Sequence, residues 1–167
     1  TYQVGAIMRF AKAYHMEIEH VRPHGAMYRQ ASEDIEFSRT IAKAIKKCSK
    51  WLVYYGATGD NLAQIAEEEN IQVAHEVHLE KIYDDKGNID FSARDLENTG
   101  ISIQRLKDLI QNSQVTNNVG GKTIVRADSI HFSNKLSNAK ELIAQAYDIV
   151  EPLPYNYRNA QKSGWVE

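Results

Sequence analysis

The sequence predicts a parallel α/β protein, and three observations carry that reading. Short apolar runs that suit buried strands recur along the chain. They alternate with segments whose apolar residues return every three to four positions, the period of an amphipathic helix. Strands joined through helices pair in parallel, with the helices packed on the sheet. Size sets a bound: 167 residues, 43% of them apolar, supply one real core but fall short of the roughly 250 residues of a closed eight-fold barrel.

Taken in order, Val4, Ile7, Met8 and Ala11 predict a helix over about 2–14. Met16, Ile18 and Val21 alternate as a strand over about 16–22, which Pro23 ends because it has no N–H. Ser32 is placed to cap a helix carrying Ile35, Ile41, Ile45 and Cys48, with Glu33 and Asp34 in its first turn. Trp51 to Tyr55 is a short buried strand, 56–59 a turn, and Leu62, Ile65 and Ala66 mark the next helix. Ile71 to Val77 is another strand, and Asp84 to Asn88 has the composition of a turn. Ser102 caps a helix bearing Ile103, Leu106, Leu109 and Ile110. Gly120-Gly121 joins 115–119 to 122–125 as a hairpin, 129–132 is a last strand, and Ser137 caps a final helix. The count is about five core strands plus the hairpin.

Composition removes several classes of function. A formal net charge of −2 gives no bulk electrostatic case for nucleic acid or an anionic membrane. Cys48 is alone, so no internal disulfide forms, and a lone thiol fits a reducing, cytoplasmic setting. No apolar run is long enough to span a bilayer. Gly-x-Ser-x-Gly elbows, cysteine metal knuckles and EF-hand loops are all missing. Gly56 to Asn61 opens a helix but matches no phosphate loop, so it reads as a plain strand-to-helix turn.

Three places carry titratable groups where chemistry would collect. His24 stands between Pro23 and Gly25 at the C-terminal end of a predicted strand, where parallel α/β proteins place binding groups. It suits a general acid or base; the plainer alternative is a loop histidine bonded to backbone. His20, inside the strand, reads as a buried, satisfied histidine. At period two, Glu76, His78 and Glu80 share one strand face, able to bind a cation or shuttle a proton, or simply solvated. His131 reads as structural, although it lies on the same strand face as Ser133.

The run from Arg22 to Tyr28 resembles the Pro-His-Gly-Ala-Leu-Tyr signature of the LamB/YcsF family, with Met27 where Leu is usual and Arg22 where Lys is usual. The resemblance extends from Tyr2 to about Pro154. That family includes the A subunit of bacterial 5-oxoprolinase. Its fold is a β/α-barrel of the glycoside hydrolase/deacetylase type. The resemblance implies a partial (β/α) barrel over 1–154, followed by a polar tail over 155–167. The family's first strands, which bear Asp and His, have no counterpart here, and the chain reads as the C-terminal part of a barrel.

Further along, Glu76, Tyr83 and Gly87 match the family, Glu80-Lys81 replaces an Asp-Arg pair, and His78 stands where Phe is usual. Where the family has His-Gly-Asp, this chain has Ser133-Asn134-Lys135. The acid becomes a base and the imidazole a hydroxyl, which removes the proton-transfer or cation-binding capacity of that corner unless His131 substitutes.

What the resemblance implies about function is ATP-dependent hydrolysis of the lactam 5-oxoproline to glutamate, with partner subunits B and C and with ATP used through the complex. A metal is left unassigned. Within that expectation His24 does acid–base work, and Glu76 and Glu80 orient it or bind a cation. Arg22 holds the substrate carboxylate, and Gly25, Tyr28 and Lys81 border the substrate. Two alternatives stand beside it: a non-catalytic homologue that binds a partner or ligand, and a deacetylase-like carbohydrate-active hydrolase suggested by fold analogy alone.

Overall fold

The computed structural model describes residues 1–96 and 100–150. Helix α1 (Tyr2–Ala13) forms as predicted but buries none of its residues. The strand expected over 16–22 shrinks to β1 (His20–Val21). Its loss has a local cause. Met16 N–H bonds back to Ala11 O and His15 adopts a φ of 54°, so the chain is still leaving the helix where the strand should start.

Helix α2 (Ala26–Glu33) is absent from the sequence prediction. It starts after Gly25, whose φ of 57° and ψ of −132° suit glycine alone. Ser32 does not cap the following helix. It sits at the end of α2 and donates its hydroxyl to Arg29 O at 2.7 Å. The extended residue between the helices is Asp34, and its carboxylate accepts from the Glu36 and Phe37 N–H groups to cap α3 (Ile35–Cys48).

Strand β2 (Val53–Ala57) continues through Gly56, so the turn predicted from 56 begins at Thr58. A Cβ at Gly56 would lie 2.9 Å from Leu62 Cδ1; glycine lets α4 (Asp60–Glu69) close onto the strand. Trp51, expected inside this strand, stays largely exposed ahead of it. Strand β3 (Val73–His78) is buried at every position. Helix α5 (Ile103–Asn112) follows its predicted cap, Ser102, which accepts from Arg105 N–H. Strands β4 (Gln114–Thr116) and β5 (Lys122–Ile124) make the predicted antiparallel hairpin, and β6 (Ser129–His131) is the last strand. Helix α6 (Ala139–Val150) begins after Asn138 rather than Ser137. The Asn138 amide is bonded to both backbone groups of Ile101, at 3.0 and 2.8 Å.

Among the described residues the main sheet has four strands, not about five, in the order β1-β2-β3-β6, and each neighbouring pair is parallel. One apolar cluster, including Ala42, Ile45, Tyr54 and Ile65, joins α3 and α4 to β2. A second, including Val77, Tyr83, Leu106 and Leu142, joins β3 to α5 and α6. No described helix is long and apolar enough to cross a membrane. The expected tail over 155–167 lies outside the described residues.

Candidate functional site

The site grows from the end of β3. A strand alternates its side chains, so His75 and Val77 point to one side while Glu76 and His78 point to the other. Glu80 lies past the strand in a turn, yet its carboxylate comes back to the same place: His78 Nδ1 is 3.1 Å from Glu80 Oε1. On the far edge of the ring, His78 Nε2 is 3.2 Å from Glu76 Oε2 and 3.0 Å from the Tyr28 hydroxyl, which α2 supplies. Arg22, just past β1, donates Nε to both Glu76 oxygens, at 2.9 and 2.7 Å, and its guanidinium lies over the Tyr28 ring.

This face is not solvated, the plainer outcome that its period-two pattern allows: Glu76, His78 and Glu80 are all buried. Buried ionisable groups persist when they are paired and hydrogen-bonded, and each shift shows that balance. Burial alone would raise the Glu76 pKa; the hydrogen bonds and charges of His78 and Arg22 outweigh it and hold the carboxyl at about 2. Burial would lower the His78 pKa, but Glu76 and Glu80 raise it. Against burial, His78 holds Glu80 below the usual carboxylate range. Burial, and then the neighbouring Glu76, keep the Tyr28 hydroxyl far above its ordinary pKa, so it remains a neutral donor.

The sheet then adds a group that sequence spacing does not reveal. Strand β6 pairs with β3 so that His78 lies opposite His131. The two rings stack with centroids 4.4 Å apart, and His131 Nε2 is 4.0 Å from Glu80 Oε1. Burial and the nearby His78 lower the His131 pKa. His131 therefore belongs to this cluster. Only the register between two strands far apart in the chain brings it there; a second histidine at a strand end was the available hint.

These side chains line a cleft of about 220 Å³ at the C-terminal ends of the parallel strands, with Arg22, Tyr28, His78, Glu80, Lys81 and His131 on its walls. Gly25 also borders it, as does Ser133. Lys81 is bound to Asp95 at 2.6 Å, and Phe91 lies beneath its ammonium. His24 stands apart. It is exposed, approaches Arg22 Nη1 at 3.4 Å, and borders a different cavity between α1 and β1. His20 is also exposed rather than buried, its ring packed on Tyr55 at 4.5 Å, because a two-residue edge strand has little to cover it. At the altered corner Ser133 is buried and accepts from Lys135 N–H at 3.3 Å, while Asn134 and Lys135 are exposed.

Comparison with known proteins follows the same outline. The profile of the LamB/YcsF family matches residues 1–162. A protein of Thermococcus onnurineus, named as the A subunit of 5-oxoprolinase, is 29% identical over 153 residues, which is 90% of this chain and 60% of that protein. Its namesake in Natranaerobius thermophilus is 32% identical over 146 residues, 86% of this chain and 57% of that protein. Among solved structures, the lactam utilization protein of Thermus thermophilus superposes with a TM-score of 0.72 at 29% identity, covering 90% of this chain and 61% of that one. The chain spans about three-fifths of the length of the relatives it matches, and over that span its architecture is consistent with a partial β/α-barrel.

Proposed function

This chain belongs to the LamB/YcsF family, and from that membership we propose that it acts as the A subunit of a 5-oxoprolinase, opening the lactam of 5-oxoproline to glutamate within a complex with subunits B and C. The names of its relatives support the substrate class and the existence of partner subunits. The observation that carries the reading is the convergence of Arg22, Tyr28, His78, Glu80 and His131 on one cleft at the strand ends.

Lactam hydrolysis needs an activated water, a donor to the carbonyl oxygen and a proton for the departing nitrogen. In this reading Glu80 and His131 take the proton from water as its oxygen bonds to the carbonyl carbon. Tyr28 donates to the developing oxyanion. As the C–N bond breaks, His78 delivers the proton to nitrogen. Glu76, held ionised by Arg22, orients His78 rather than exchanging protons itself. The guanidinium N–H groups of Arg22 not turned to Glu76 or His24 meet the substrate carboxylate. His24 acts at the rim through Arg22, and Lys81 and Gly25 border the substrate. ATP finds a poor phosphate cradle at the N-terminus of α4: its first N–H, at Asp60, is directed to Asn88 Oδ1 at 3.3 Å, and Asp60 places a carboxylate in the first turn. It is assigned to the complex, and no step here runs through it.

The altered corner favours one second reading, a homologue that binds without turning over. Glutamate formation from 5-oxoproline, with ATP and subunits B and C, separates the two. The parent protein is expected to turn over, and Ser133→His/Asn134→Gly/Lys135→Asp is expected to add little because His131 already supplies an imidazole. A silent parent beside an active triple variant would establish the binding role instead.

A further inference from the structure

Buried donor atoms with no partner of the right kind mark a place built for something else. At the end of β3 the tautomer of His78 can be assigned from its neighbours. Nε2 faces the Glu76 carboxylate at 3.2 Å, and Arg22 fixes that carboxylate as an acceptor. Nε2 therefore carries hydrogen, and the lone pair of the neutral ring lies on Nδ1. Nδ1 faces Glu80 Oε1 at 3.1 Å, which is lone pair against lone pair. Such a gap holds a positive charge, either a second proton or a cation. The other Glu80 oxygen, Oε2, is buried and has no hydrogen-bond partner among the described residues, although Glu80 is only 2% exposed. His131 Nε2 closes the third side at 4.0 Å from Oε1.

We propose that His78 Nδ1, the Glu80 carboxylate and His131 Nε2 are three ligands of a site for a divalent transition ion of the zinc class, open on its fourth side to the cleft. The donor set selects that class. Two imidazoles and one carboxylate suit zinc and its first-row neighbours, whereas magnesium and calcium demand oxygen ligands. A pattern of three protein ligands and one open position is that of a zinc ion that works on a bound molecule rather than one that only staples the fold. The outer shell is also in place: the Glu76–His78 bond fixes ring orientation and tautomer, as a carboxylate behind a metal-bound histidine does, and Arg22 holds that carboxylate in turn.

Geometry demands one adjustment. The three ligand atoms lie within 4.8 Å of one another, while ligands about 2.1 Å from a tetrahedral ion stand roughly 3.4 Å apart. The His131 ring, a third exposed at the cleft wall, is the one with room to turn inward by about an ångström. The inference rests on the geometry of the cluster, not on the lactam reading; with an ion bound, His78, Glu80 and His131 would serve as its ligands in place of the acid–base roles proposed above, and the substrate class would be unaffected. Its test reads binding without turnover, so the two stand or fall separately.

The full chain, stripped with a chelator, is titrated with Zn²⁺ by calorimetry and with Co²⁺ by visible absorption. One equivalent should bind with a dissociation constant of about a micromolar or tighter, and Co²⁺ should give the visible bands of a low-symmetry nitrogen and oxygen site. His78→Phe, Glu80→Gln and His131→Gln should each weaken binding at least tenfold, on the order of the loss that disrupting a metal's coordination produces. His15→Asn, at an exposed histidine far along the chain, should change nothing. His131→Gln alters a partly exposed position and carries the argument if His78→Phe does not fold. The proposal fails if the parent shows no saturable binding of one equivalent, which would leave a proton between His78 and Glu80. It also fails if His131→Gln binds as tightly as the parent.

Discussion

Strands β2 and β3 run side by side through the middle of the sheet and are buried almost alike, yet they are filled in opposite ways. Within β2 the polar needs are few: the Tyr54 hydroxyl reaches Ser38 at 3.2 Å, and the rest of its cluster is hydrocarbon. In β3, His75, Glu76 and His78 are sealed in, and two of the three are held by partners from the residue after β1, from α2 and from the turn after β3. Burial is thus no guide to what a strand is for. The difference lies in whether the buried groups could be exchanged for hydrocarbon of the same shape without leaving a charge behind.

The largest expected effect tests whether chemistry gathers at the end of β3 and the turn after it rather than in β2. With ATP and subunits B and C present, Glu80→Gln should slow glutamate formation by about 10²–10⁴-fold, the loss usual for a positioned acid or base. Tyr54→Phe in β2 should leave the rate near normal, and His24→Ala, at the rim, should fall well short of the Glu80 loss. Equal losses at His24 and Glu80 would move the exposed histidine into the reaction and erase the contrast.

Stability sharpens the same comparison. Arg22→Met removes the guanidinium that contacts both oxygens of the buried Glu76 carboxylate and leaves it His78 as its charged partner, and chemical denaturation should show a loss of about 3 kcal/mol. Removing both members of the β2 pair, Ser38→Ala with Tyr54→Phe, should cost less than about 1 kcal/mol, because no buried group is stranded. If the double variant proved the more damaging, β2 would be as dependent on its polar pair as β3 is on its network. The smallest effect concerns the helix over β2. Asp34→Ala should lower stability by about 1 kcal/mol through the lost cap of α3, whereas Ser32→Ala should change it by a few tenths. Matching losses would return the cap to Ser32.

Periodicity made the helices at 2–13 and 103–112 legible, along with both central strands and the hairpin, because each repeats a strong local pattern. It also gathered Glu76, His78 and Glu80 correctly, although Glu80 lies beyond the strand. What stayed hidden depended on backbone geometry or on distant pairing. Helix α2 hides behind Gly25, whose unusual dihedrals look in sequence like a plain turn, and its last residues pass for the cap of α3. The strand over 16–22 looked real by alternation, but the unwinding of α1 took its first half. His131 joined the site through a register that no spacing encodes.

That register has a consequence for how the protein matures. The Arg22–Glu76 pair needs only β1, β2 and β3, which are close in the chain and can assemble early. The His78–His131 stack waits until β6 has docked, after the chain has looped out through α5 and the hairpin. Closing a long loop delays contacts of this kind relative to local ones. A molecule halted before that last pairing would keep most of its helices, its first three strands and its buried ion pair, but have no second imidazole over Glu80. The paired histidines therefore mark the finished molecule: ring contacts between them in a spectrum would report that folding had run to its end.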